Sequence, residues 1–136
     1  MLYLIFSLMF SALVYYLRSL LREYNKKMEH MTLTEENGTY HLHYTNHQPI
    51  MLASFYFRGL QAGGYTWVAI LLAGIRQKNK ALLDSLHIDP EGDGLFFSSE
   101  SKAVAEETKA ILDRAINNVF YREYCIVVAY LGGYLE

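Results

Sequence analysis

Seventeen of the first 21 residues are hydrophobic, and Arg18 is the one charge among them. The apolar positions fall on every side of a helix, so no amphipathic stripe forms. At about 1.5 Å rise per residue, 21 residues reach roughly 31 Å, the depth of a hydrocarbon core. Cations then follow at Arg18, Arg22, Lys26 and Lys27. The pattern predicts an N-terminal hydrophobic helix, residues 1–24, that anchors the chain in the cell membrane through residues 1–21. The positive-inside rule places residues 25–136 on the cytoplasmic side of this single pass. A buried helix of the domain or of a dimer interface is one alternative, and an export signal is another. Against the latter, no side-chain cation precedes the apolar run and no small-x-small cleavage site follows it.

Beyond this segment the pattern changes to that of one domain over residues 25–136. Asn37-Gly38 signals a type I′ hairpin, which needs positive φ at both central positions. With those two as the loop, Glu36 faces Thr39, Thr34 faces His41 and Thr32 faces His43 on a polar side. Leu33 faces Leu42 and Met31 faces Tyr44 on an apolar side. Ile50–Phe57 then reads as a third strand, and Gly59, Gly63 and Gly64 mark a loop. Thr66 is placed to cap a helix whose apolar line runs Trp67, Ile70, Leu71, Ile75, Leu82, Leu86. Gly74 lies on that line and suggests that another backbone comes close.

His87–Gly94 reads as a turn-rich loop before a short strand, Leu95-Phe96-Phe97. Ser99 or Ser101 can cap the next helix, with Val104, Ile111, Leu112, Ala115, Ile116 and Val119 on its apolar line. Asn117-Asn118 breaks it. Phe120–Leu131 suits a strand or a helix; a helix stopped by Gly132-Gly133 is the preferred reading. The sum is an α+β fold, an antiparallel sheet with helices packed on one face, preceded by the hydrophobic helix.

Charge and composition narrow the function. A formal net charge of −2 argues against nucleic acid as a partner, because phosphate neutralisation needs a clustered basic surface. One cysteine, Cys125, excludes an internal disulfide framework and a multi-cysteine zinc site. It lies in an apolar stretch without an activating base. No Gly-x-Ser-x-Gly elbow or phosphate-cradling glycine loop occurs, and Gly63-Gly64 is a weak anion site. The expectation is a protein that is not an enzyme and holds no cofactor.

Two ion-binding patterns remain. Asp89, Glu91, Asp93 and Glu100 occupy positions 1, 3, 5 and 12 of a loop with Gly94 at position 6, the spacing of an EF-hand. A membrane-tethered calcium-binding domain using this 89–100 loop is therefore the alternative function. Pro90, the length of Glu91, the strand at 95–97 and the lack of a second such loop argue against it. His41 and His43 share a strand face, with His30 and His47 near, but no Asp or Cys completes a metal set.

Gly64-Tyr65-Thr66-Trp67 opens an apolar helix, which ends in Leu82-Leu83-Asp84. Ile88-Asp89-Pro90-Glu91 and Phe96-Phe97 follow. In order and spacing this set resembles the immunity protein 51 family of bacterial polymorphic-toxin systems, over about Phe55 to Asn117. The resemblance implies an immunity protein that neutralises a cognate toxin by protein–protein binding. It also gives the Asp89-Pro90-Glu91 turn a family role. Exposed acidic groups suit a basic toxin, because opposite potential speeds encounter. The candidate toxin contacts are Tyr65, Asp89, Glu91, Asp93, Glu100, His41 and His43, while Trp67 belongs to the core.

Overall fold

A computed structural model describes residues 9–19, 31–45, 55, 58–61 and 63–135. The chain divides into two compact units, residues 1–31 and 32–136.

In the first unit residues 9–19 form a helix. No helix among the described residues is long and apolar enough to cross a membrane. This overturns the expected single-pass localisation. The assignment of residues 25–136 to the cytoplasmic side of a membrane rested on that span and falls with it.

The second unit is α+β, with a four-stranded antiparallel sheet and helices. The strands are β1 (Thr34–Glu36), β2 (Thr39–Thr45), β3 (His87–Pro90) and β4 (Gly94–Ser99), in the order β1-β2-β4-β3. Among the described residues its helices include α1 (Gly64–Lys78), α2 (Lys102–Asn117) and α3 (Val119–Leu131), with a 3₁₀ turn at Lys80–Ser85. The first hairpin has the register its turn dictated: Thr34 faces His41, Glu35 faces Tyr40 and Glu36 faces Thr39. Asn37 and Gly38 both take positive φ, 51° and 78°. β1 stops after three residues, so the expected pairs beyond Thr34 fall outside the ladder.

Sequence and structure part at the other strands. The expected third strand, 50–57, lies outside the described residues except for Phe55, which is helical and fully buried. The loop expected at His87–Gly94 instead contains β3. Ile88 pairs with Phe97, Asp89 with Phe96 and Pro90 with Leu95, so the turn shrinks to the residues joining β3 to β4. Four residues of His-Ile-Asp-Pro carry little strand signal, and β4 supplies the hydrogen bonds they need. Pro90 is tolerated because β3 is an edge strand.

The core lies between one side of the sheet and the helices. Leu42, Tyr44, Leu95 and Phe97 point inward from β2 and β4 and are buried. α1 packs on β3 and β4, and α2 on β2 and β4. Trp67 is fully buried where Tyr44 and Phe55 meet it edge-on, with centroids 5.0 and 5.4 Å away. Aromatic pairs in this geometry add about 0.5–1.5 kcal/mol beyond their area. α3 forms the outer layer, packed on α1 and α2.

α1 begins two residues before the expected cap Thr66. Gly63 is the N-cap and offers no side chain, while the Gly64 N–H donates to the Glu91 carbonyl at 3.0 Å. Thr66 is buried and its hydroxyl donates back to the Gln61 carbonyl. The β3–β4 turn therefore does part of what a capping side chain does. The helix ends at Lys78 rather than Leu86, because Asn79 is extended and its N–H closes on the Ile75 carbonyl at 2.7 Å. Gly74 faces side chains rather than a backbone. A Cβ there would stand 2.7 Å from Ile111 Cγ2 and 3.0 Å from the Tyr121 hydroxyl, where the three helices meet.

Ser101 caps α2, and the break expected at Asn117-Asn118 is an asparagine cap. Ser101 Oγ accepts from Val104 N at 3.4 Å, and Ser99 Oγ accepts from Ser101 N while donating to the Ser85 carbonyl. Asn118 ends α2 and starts α3. Its N–H bonds the Arg114 carbonyl, and its Oδ1 accepts from Tyr121 N at 3.0 Å.

Tyr121 gives this interior a pH dependence. Burial, with smaller contributions from Cys125 beside it, pushes its phenol up to about 12. The fold accommodates the neutral phenol, whereas an unfolded tyrosine loses its proton near pH 10. This contribution to stability is whole below pH 10 and disappears as pH climbs toward 12. Denaturant midpoints measured across that window should fall, and Tyr121→Phe should flatten the decline. An equal decline in the phenylalanine variant would assign the effect to other groups.

Candidate functional site

Alternation along the strands sends a second set of side chains to the side of the sheet away from the core. From β1 come Thr34 and Glu36, from β2 His41 and His43, from β4 Phe96 and Ser98, and from β3 His87 and Asp89. One cross-strand row runs Thr34, His41, Ser98, His87. The next runs His43, Phe96, Asp89. His41 stacks on Phe96 at 5.7 Å with 26° between planes. His43 Nε2 lies 2.8 Å from Glu91 Oε2, and both side chains are about half exposed.

Glycines hold the end of this face against α1. A Cβ on Gly64 would fall inside contact with the Gly94 carbonyl and with Glu91 backbone atoms. One on Gly63 would strike the Gly92 carbonyl. The helix start and the β3–β4 turn thus meet backbone to backbone, which only glycine allows. The weak anion site suggested by Gly63-Gly64 is a packing joint: the Gly64 amide is already used by Glu91. Tyr65 stands next to this joint with 62% of its surface exposed.

Six of the seven candidate contacts therefore belong to one region. His41, His43 and Asp89 share the open face; Glu91, Asp93 and Tyr65 border it at the turn. Glu100 does not join them. It follows Ser99 at the far end of β4, four positions past the residue that faces Asp89, or about 13 Å along an extended strand. There it lines an open cleft of 470 Å³ with Asp84, Ser85 and Ser101. It also precedes the N-cap of α2, where a carboxylate suits the helix dipole.

The same separation bears on the calcium loop. An EF-hand wraps its twelfth residue back onto the ion, but β4 carries Glu100 away and Glu91 engages His43. Among the described residues no three His, Cys, Asp or Glu side chains gather closely enough to hold a metal ion. His30 and His47 lie outside the described residues. Cys125 is buried between α3 and α1, and burial pushes its thiol up, away from a reactive thiolate.

His87 and Phe96 were missed as surface candidates. The signal for Phe96 was present, since adjacent Phe96 and Phe97 in a strand must point to opposite faces. His87 had none, because its strand was hidden.

What the arrangement offers is recognition: aromatic surface at Phe96 and Tyr65, carboxylates at Asp89, Glu91 and Asp93, and imidazoles that donate or accept. Comparison of the chain with protein-family models, with curated proteins and with solved structures finds no match.

Proposed function

We propose that this protein is an immunity protein that binds a cognate bacterial toxin and neutralises it by occupying a surface of that toxin, catalysing nothing itself. The observation that carries the reading is the gathering of His41, His43, Asp89, Glu91, Asp93 and Tyr65 around one end of the open sheet face. The ordered motifs from Gly64 to Phe97 supply the toxin-system context, through their resemblance to the immunity protein 51 family.

Carboxylates at the rim of an interface mainly steer encounter, and aromatic groups near its centre hold the complex. Glu91 and Asp93 are the steering groups in this scheme, with Tyr65 and Phe96 as anchors. Each product of the neighbouring open reading frames is to be co-expressed with and without this protein. Relief of one product's toxicity, with recovery of a stable complex, is expected. Charge reversal by Glu91→Lys with Asp93→Lys should slow association about tenfold at low ionic strength and less as salt is raised. Tyr65→Ala should act on dissociation instead. The reading fails if no neighbouring product is either toxic or bound.

A further inference from the structure

We propose that α3 is a self-association helix, through which two copies of this chain pair antiparallel along a seam of Phe120, Tyr124, Val127 and Leu131. A helix in the outer layer ordinarily turns one apolar face inward and a polar face to water. α3 is apolar on both. Arg122, Cys125, Ile126 and Ala129 are buried, while Phe120, Tyr124, Val127 and Leu131 are 84%, 48%, 56% and 85% exposed. The seam residues are spaced four, three and four apart, the interval that keeps one stripe facing a partner helix. Val119 and Tyr130 widen it. Glu123, the carboxylate of α3, lies between this flank and the seam and pairs with Arg58.

The area is that of a small dimer. At roughly 150–200 Å² for a fully exposed large side chain, the six residues leave about 600 Å² exposed, the most that one copy can bury. Two copies together can bury up to about 1,200 Å², the lower end of the range for stable interfaces. Self-pairing uses this surface twice about a two-fold axis and closes on itself. Antiparallel helices set Phe120 against Leu131 of the partner subunit and Tyr124 against Val127 of the partner subunit. Larger rings then meet shorter aliphatic chains, and opposed dipoles favour this orientation.

Sedimentation equilibrium of the full chain tests the pairing and its direction. The unaltered protein should show a dimer mass. Phe120→Glu with Leu131→Glu places like charges together at both ends of the seam and should weaken the dimer about a hundredfold or more, leaving the circular dichroism of the folded chain unchanged and removing the concentration dependence of the denaturation midpoint. Phe120→Lys with Leu131→Glu opposes unlike charges only if the helices are antiparallel. It should restore a dimer that high salt dissociates. Leu13→Glu, in the N-terminal helix, should leave the dimer intact. A monomer at every concentration, a dimer that survives the double glutamate change, a folded Lys/Glu variant that stays monomeric, or a monomer on Leu13→Glu each overturns the proposal.

Discussion

Gly64→Ala should cost about 3 kcal/mol or more, lowering the thermal midpoint by more than roughly 10 °C. The added methyl meets the carbonyls of Gly94 and Glu91 and the Glu91 amide, and these are backbone atoms within a closed hairpin. A crowded side chain could rotate away; a turn held by the 2.8 Å bond from Glu91 N to the Gly94 carbonyl cannot. Relief requires α1 to lift from the turn, and with it the bond from Gly64 N to Glu91 is lost. Gly92→Ala is the matched control, since nothing lies within 4 Å of a Cβ there. It should change stability by less than about 1 kcal/mol. Equal denaturation midpoints for the two variants would refute the joint. Because Tyr65 and Glu91 flank it, Gly64→Ala should also weaken partner binding more than its stability loss alone predicts.

Arg122→Met is expected to lower stability by about 3 kcal/mol, read from urea denaturation. Arg122 is a buried cation in a helix that otherwise presents apolar residues to the core. Its Nη1 donates to the Ala115 carbonyl at 3.1 Å and the Ile116 carbonyl at 2.9 Å, the last turn of α2. Those carbonyls have no partner within their own helix, and the negative end of the helix dipole favours the guanidinium. Methionine fills similar space but leaves both carbonyls dry, at about 1–3 kcal/mol each. Arg122→Lys should recover part of the loss, because an ammonium lacks the planar fork yet retains donors and charge. A methionine variant as stable as the unaltered protein would show that these bonds contribute nothing net.

How far the sequence reaches depends on whether its signals are local. Asn37-Gly38 sets its own backbone angles, so the first hairpin and its register could be written down before any tertiary contact was known. Ser101 and Asn118 cap helices through bonds to residues three positions away, and both ends of α2 follow. β3 shows the reverse case. Its four residues are strand only because β4 lies beside them, and a pairing across a turn leaves no periodicity to read. The hydrophobic N-terminus shows a third. Its composition suggested a span, but composition alone does not set helix length, and no helix among the described residues is long and apolar enough to cross a membrane.

The candidate surface divides the same way. Each acidic and histidine residue was visible as an unusual polar position, yet their gathering was not. Strand order β1-β2-β4-β3 brings His43 beside Phe96 and Asp89, and the glycine joint brings Tyr65 to the turn. The same topology sends Glu100 to the opposite end of β4, although it sits only seven residues beyond Asp93 in the chain.

By itself, then, the sequence determined the elements whose causes lie within a few residues: the type I′ hairpin, the helix capped by Ser101, the break at Asn118 and the α+β class. Only the tertiary structure decided the edge strand, the joint between Gly64 and the turn, the inward turn of Arg122 and the outward stripe on α3. The reason is physical. Caps and turns are satisfied by neighbours in sequence, whereas a backbone contact across space or a two-faced apolar helix takes its meaning from what packs against it.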